Sequence, residues 1–419
     1  MARTTAGTPN NKNHAFNIVP KAEIPRSSFN RTHSVKTTFN SGFLIPFFVD
    51  EAVPGDTVKL KATLFGRMAT PIFPIMDNLY LDVFWFSCAE RLLWNNFKKM
   101  MGEQANPADS TSFIMPVVTS AANGFARLGL EDYFGIPPLH SNGSGGATMS
   151  VRASWHRMYN KVWNAWFRDE NLQNSVADNM GDGPDAVGDY VLLRRGKRKD
   201  YFTSSLPWPQ KGTAVLLPLG STAPIIGTAP VVPTTTNNSV PTFFRANVGG
   251  TAYNMTFDGA SVENDWNGIN AGAGNAAWAT TGLQTTITGS GAYADLSAAT
   301  AATINQIRTA FQVQRLYERD ARGGTRYPEQ ILAHFGVTSD DARQQRPEFL
   351  GGGSLNININ PVATTLDDGV IPTGSLAAYA TVVGGIPTVV KSFTEHSVIM
   401  GLMMVRADLN YQQGLPRMF

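Results

Sequence analysis

The clearest alternation of wet and dry positions lies at Thr57–Leu64, where Thr57, Lys59, Lys61 and Thr63 interleave with Val58, Leu60, Ala62 and Leu64. Successive side chains of a strand point to opposite faces, so this pattern predicts one strand with a wet side and a buried side. Before it, Phe43–Val49 is a dense apolar run, separated from it by the turn signal Val53-Pro54-Gly55-Asp56. After it, Leu79–Phe86 (LYLDVFWF) is apolar on both faces apart from Asp82, as expected inside a sandwich or at an interface. Three strands divided by turn signals predict a β-sandwich or jelly roll. Further on, Leu355, Ile357 and Ile359 alternate with asparagines, and Thr394–Tyr411 reads as a long β run buried on both faces at its centre. Leu366–Pro387, rich in Gly and Ala, reads as a connection.

Helical spacing appears in three places. Leu93, Phe97, Met100 and Met101 share one face before Gly102 stops the run. Over Ser154–Phe167, Trp155, Met158, Tyr159, Val162, Trp163 and Trp166 form a continuous stripe, which either packs a core or offers a base-stacking platform. Ala301–Gly353 predicts three helices. Thr303 with Gln306 is a capping box, and Gly323-Gly324 end the first helix. Pro328 and Glu329 begin the second, which Gly336 ends. Ser339 caps a short third, ahead of Pro347 and three glycines. In the first of these helices Ile304, Ile307, Ala310 and Phe311 share one arc while Val313 and Leu316 fall outside it, which predicts packing from several sides.

Composition narrows the function classes. The 419 residues contain 39 glycines and 25 prolines, which favours an all-β frame with long connections. No apolar run is long enough to span a membrane. Met1–Asn13 is polar and lacks a signal-peptide core, so synthesis in a cytoplasm is expected. Cys88 is the only cysteine, which excludes a disulfide framework and cysteine metal clusters. The net charge is only +2, yet Arg194, Arg195, Lys197, Arg198 and Lys199 form one concentrated basic run, suited to clamping phosphates without reading sequence. A solvated loop partly neutralised by Asp182, Asp185 and Asp200 is the other reading of that run. Five charged residues occur between Thr213 and Thr300, where aromatics nevertheless recur, so this tract reads as a surface insertion with short strands of its own.

Catalytic chemistry is scarce. The six histidines are scattered, with no HExxH, Walker loop, dinucleotide fingerprint or GxSxG. Glu395-His396 are adjacent in a predicted strand and so point to opposite faces. No catalytic, cofactor-binding or metal-ligating residue is assigned, and no enzyme activity is expected.

Three long blocks carry a resemblance. SFNRTHSVKTTFNSGFLIPFFVDEAVPGDTVKL followed by RMATPIFPIMDNLYLDVFWF, then TINQIRTAFQVQRLYERDARGGTRYPEQILAHFGVTSDDARQQRPEFLGGG, and finally SFTEHSVIMGLMMVRADLNYQQGL are similar to the major capsid proteins of microviruses of the gokushovirus type. The resemblance implies a mainly β fold, a viral jelly-roll β-sandwich with long, partly helical insertions. It also implies self-assembly into a T=1 icosahedral shell around circular single-stranded DNA, in the virion and assembled in a bacterial cytoplasm. A DNA pilot protein and a host receptor are implied as further partners. The expected organisation is an arm at 1–31, a first jelly-roll part at 32–212, a threefold protrusion at 213–300, a helical return at 301–353 and a second jelly-roll part at 354–419. Family members continue past the position of Phe419, so a chain shortened at its carboxyl end is expected. Val313 and Leu316 become candidates for contact with neighbouring subunits, and the basic run for contact with DNA. The rival from the residues alone is a carbohydrate- or receptor-binding β-sandwich; a secreted hydrolase lacks both leader and acid pair.

Overall fold

The computed structural model describes residues 25–71, 75, 77–138, 148–196, 198–199, 205–216, 225–226, 293–294, 303–365, 369 and 372–408. The chain divides into two compact units, one of residues 1–199 with 339–419, the other of residues 200–338.

The first unit is built on β1 (Ile45–Ala52), β2 (Thr57–Leu60), β3 (Thr63–Arg67), β4 (Leu79–Ala89), β5 (Val117–Thr119) and β6 (Ser150–Arg152). In the second unit, β7 (Ile225–Ile226) pairs with β8 (Tyr293–Ala294). The first unit resumes with β9 (Glu348–Ala363), β10 (Leu376–Gly385), β11 (Val389–Ser392) and β12 (Ser397–Ala407). Six of these strands form one antiparallel sheet in the order β1-β12-β4-β9-β10-β3, and β2 pairs with β11 beside it. The architecture is mainly β, a curled sheet of the jelly-roll β-sandwich type with long, partly helical insertions.

Burial explains the centre of the sheet. β4 and β12 are apolar on both faces because both faces are packed. Leu81, Val83, Trp85, Ile399 and Met403 lie in one core with Ile45, Leu60, Val382 and Phe393. Phe86, Cys88, Val398, Met400, Leu402 and Met404 lie in another, against the helical segment. That segment contains α1 (Phe97–Met100), α2 (Leu130–Tyr133) and α3 (Ser154–Val162), the last continuing as a π-helical turn to Phe167. Met158, Tyr159, Val162 and Trp163 are buried in this core, so the aromatic stripe is packing rather than a stacking platform. Burial pushes the Cys88 thiol up to about 12.

Several expectations change. Thr57–Leu64 keeps its alternation of exposed and covered positions, but it is two strands. β2 pairs with β11 and β3 with β10, and between them Ala62 O accepts from Ile386 N at 2.9 Å. The chain changes partner at a corner while the pleat, and so the buried face, carries straight through. The three glycines expected to close a helical unit belong to β9 instead. A Cβ on Gly352 would sit 2.2 Å from Val83 O, so the run allows β9 to approach β4 closely at a bulge. The tract expected as a connection contains β10, whose buried Ala378, Ala380 and Val382 have the strand period in side chains too small to announce it. No third helix follows Ser339; residues 341–345 form turns, with Arg343 and Gln344 N–H groups donating to Asp340 O.

The second unit contains α4 (Ile304–Gly323) and α5 (Tyr327–Phe335), with the expected punctuation. Thr303 and Gln306 exchange both capping-box hydrogen bonds, Gly324 ends α4, and Gly336 closes α5 in the left-handed region. The arc expected to be packed is split: Ile307 and Ala310 are partly covered, but Ile304 is 71% and Phe311 65% exposed. From Ile307 and Ala310 the covered side of α4 continues through Val313, Tyr317 and Ala321. The tract 213–300 lies outside the described residues, apart from 213–216 and the β7 and β8 positions.

Candidate nucleic-acid interface

Asp82 is the one charged residue of β4, only 2% exposed, and three arginines converge on it. Its Oδ2 accepts from Arg406 Nε at 2.7 Å and from Arg195 Nη1 at 3.3 Å, with Arg198 Nη2 at 3.8 Å. Its Oδ1 accepts from Ser354 Oγ at 2.7 Å. The register of the sheet builds the group. Asp82 lies opposite Ser354 of β9 on one side and Met404 of β12 on the other, while Arg406 lies opposite Tyr80. Directly opposed residues share a face of the sheet, so Tyr80, Asp82, Ser354 and Arg406 all rise from the same side.

The basic run reaches this group because its start is pinned. Leu193 O accepts from Leu44 N at 3.0 Å, Leu193 N donates to the Tyr159 hydroxyl at 2.9 Å, and Trp163 Nε1 donates to Arg194 O at 2.8 Å. Arg195 N then donates to Gly42 O at 3.1 Å. The Arg195 guanidinium lies 5.3 Å from the Phe84 ring and 5.5 Å from Phe167, Arg194 stacks 4.5 Å over Phe43, and Arg406 stacks 4.4 Å over Tyr80. Burial depresses Arg195 below its ordinary value, and the like charges of Arg198 and Arg406 add to that against the pull of Asp82. One carboxylate is thus surrounded by more positive charge than it cancels. Arg406 also pairs with Asp408.

The predicted basic residues therefore part company. Arg195 and Arg198 meet at Asp82, Arg194 stands apart over Phe43, Lys199 is exposed, and Lys197 lies outside the described residues. Asp82, Arg406, Tyr80 and Ser354 do not stand out as a site in the sequence. The available signal is the lone acid in the apolar run LYLDVFWF, since a carboxylate at the centre of a buried strand needs cations nearby. Of the candidate subunit contacts, Val313 is half-covered and Leu316 is 47% exposed.

Catalytic geometry does not appear around the acid–histidine neighbours. Glu395 receives Arg91 at 2.6 Å, and His396 meets the edge of Phe97. Among the described residues no group of three potential ligands is placed to hold a metal ion, and no helix is long and apolar enough to cross a membrane.

The fold and the cluster define the class: a jelly-roll β protein with long insertions and a basic cluster on one face of its sheet. The chain belongs to the capsid protein (F protein) family, whose model matches residues 17–419. It is 42% identical to the capsid protein VP1 of Bdellovibrio phage phiMH2K over 97% of this chain and 74% of that protein. It is 35% identical to the VP1 proteins of Chlamydia phage 1 and of Spiroplasma virus 4, over 98% and 96% of this chain and 76% and 73% of those proteins. The chain is accordingly a major capsid protein of the Microviridae, a structural component of a virion and not an enzyme.

Proposed function

We propose that this capsid protein assembles with copies of itself into a T=1 icosahedral shell enclosing circular single-stranded DNA, and that the cluster around Asp82 contacts the DNA backbone. Assembly takes place in the bacterial cytoplasm, with a DNA pilot protein as a further virion partner. The insertion within 213–300 forms a threefold protrusion that meets the host receptor. Val313 and Leu316 of α4 contribute to contacts between subunits. The DNA contact draws its support from one observation, the three arginines gathered on a single buried carboxylate. Arg195 and Arg406 hold Asp82 in place, while Arg198, more distant from Asp82 at 3.8 Å and 57% exposed, is accessible to a phosphate. Such contacts neutralise phosphates without reading bases, which suits a protein that packages a whole genome.

The test is the salt dependence of single-stranded DNA binding by the purified chain. Every phosphate that a variant no longer neutralises lowers the slope of log affinity against log salt by about 0.7. Arg194→Gln, Arg198→Gln and Lys199→Gln together are expected to flatten the slope, with Arg195 and Arg406 retained so that Asp82 keeps its partners. An unchanged slope would remove these residues from the DNA contact.

A further inference from the structure

Among the described residues, nothing covers one half of the sheet face that carries Asp82. Toward β12 and β4 this face is covered by the core around α3, but across β9, β10 and β3 it is open. The alternation assigns its residues unambiguously. Leu355, Ile357, Ala378, Ala380, Val382 and Leu64 point into or pack against the other side. Asn356, Asn358, Tyr379, Thr381, Val383, Phe65 and Arg67 therefore point to the open side. Register joins them into one surface. Tyr80 lies opposite both Arg406 and Asn356, Thr381 lies between Asn358 and Arg67, Tyr379 is opposite Asn360, and Val383 is opposite Phe65.

The chemistry of this surface is mixed in a specific way. Phe65 is 78% and Tyr379 46% exposed, so two aromatic rings stand out from the pleated sheet. The amides of Asn356 and Asn358 make no hydrogen bond to other described residues, leaving donors and acceptors free between the rings. Arg67 has no carboxylate partner among the described residues, and the surface runs without interruption to Tyr80 and the arginines of the Asp82 cluster.

We propose that the bare half of the sheet is a platform for unpaired bases of single-stranded nucleic acid, with the strand's phosphates carried at its margin by Arg67 and the Asp82 cluster. This rests on the reading of that cluster as a phosphate contact. Base faces stack on Tyr379 and Phe65, which is tolerant of sequence because every base has a π face. Base edges supply partners for Asn356 and Asn358, the groups a second protein surface would have to desolvate at a cost. The positive margin complements a polyanion. A duplex hides its base faces, so only unpaired strand uses this surface fully.

The experiment compares a short oligothymidylate with an abasic deoxyribose-phosphate oligomer carrying the same number of phosphates, each titrated against the full chain. Thymidylate is expected to bind tighter, and Tyr379→Ala to cost it about five- to 150-fold, the range for losing one stacked base, while abasic affinity stays the same. Asn358→Ala is expected to act in the same direction with a smaller loss, and Tyr379→Phe, which keeps the ring, to retain affinity. Equal binding of the two oligomers overturns the platform but leaves the phosphate contact standing. Absence of binding by either overturns both. A change in oligomeric state with unaltered thymidylate affinity overturns the platform and makes this face a contact between copies.

Discussion

Seven of the nine residues of α3 are buried, against Ala321 alone among the twenty of α4. Both helices have apolar groups at helical spacing, and by sequence α4 is the better punctuated. α3 is fixed through its side chains. Met158 and Val162 reach the sheet core, the Tyr159 hydroxyl donates to Leu44 O at 2.8 Å, and the Arg157 guanidinium donates twice to Asp185, both at 2.7 Å. α4 is held more by polar groups, by the Thr303 capping box, by Arg322 donating to Glu318 at 2.8 Å, and by Asp320 paired with His334 of α5 at 2.5 Å. Periodicity records that a helix has a face needing cover; what provides the cover is written elsewhere in the chain. In α3 the cover is the same chain, whereas Ile304, Phe311 and Leu316 of α4 remain open to another surface.

The difference can be broken most sharply at Trp163, which continues the α3 stripe into the π-helical turn. Trp163→Ala is expected to cost about 3–5 kcal/mol of unfolding free energy, read by chemical denaturation, since it opens a large cavity and strands Arg194 O. A loss below about 1 kcal/mol would mean that α3 is held no more firmly than α4.

Asp185→Asn comes next, at about 3 kcal/mol, because it leaves the Arg157 guanidinium buried without its counter-charge. Burial pushes the Asp185 carboxyl up, but the hydrogen bonds from Arg157 and Tyr190 outweigh it and hold the group below the ordinary carboxylate range. A carboxyl depressed in the folded state stabilises above its unfolded pKa and ceases to do so as pH falls through its folded one. The gap in stability between the parent chain and Asp185→Asn is therefore expected to be constant near neutrality and to narrow below about pH 4. A gap that widened on acidification would contradict the assignment.

The smallest change on the isolated chain is expected on α4. Phe311→Ser and Leu316→Ser should each alter unfolding free energy by less than about 0.5 kcal/mol, as for other surface substitutions, yet reduce the yield of particles seen by electron microscopy. Intact particles in normal yield would show that another copy does not cover this helix.

The sequence and the structure agree best where side chains are large. Leu79–Phe86 and Thr394–Tyr411 declare two-sided burial, and the adjacent central strands β4 and β12, the latter at Ser397–Ala407, overlap these runs. The Thr303, Gly324 and Gly336 signals set the ends of α4 and α5 to within a residue because caps are local chemistry. β10 stayed hidden because alanines signal burial weakly, and β9 was shortened because its glycines imitate a helix stop. The candidate site was half legible. Arg195 and Arg198 stood out as charge, but nothing near them in sequence points to Asp82, Ser354 or Arg406, which only strand register brings together.

That same register dictates an order of events during synthesis. β4 ends at Ala89, and the strands on both its sides, β9 and β12, begin only at Glu348 and Ser397. This strongly apolar strand thus leaves the ribosome long before either neighbour exists. Pairings so distant along the chain are slow to form, and unpaired apolar strands are prone to stick to one another. Until β9 is made, the helical segment that follows β4 directly is available to cover one of its faces, which makes α3 an early shield for the nascent sheet as well as a wall of the finished core.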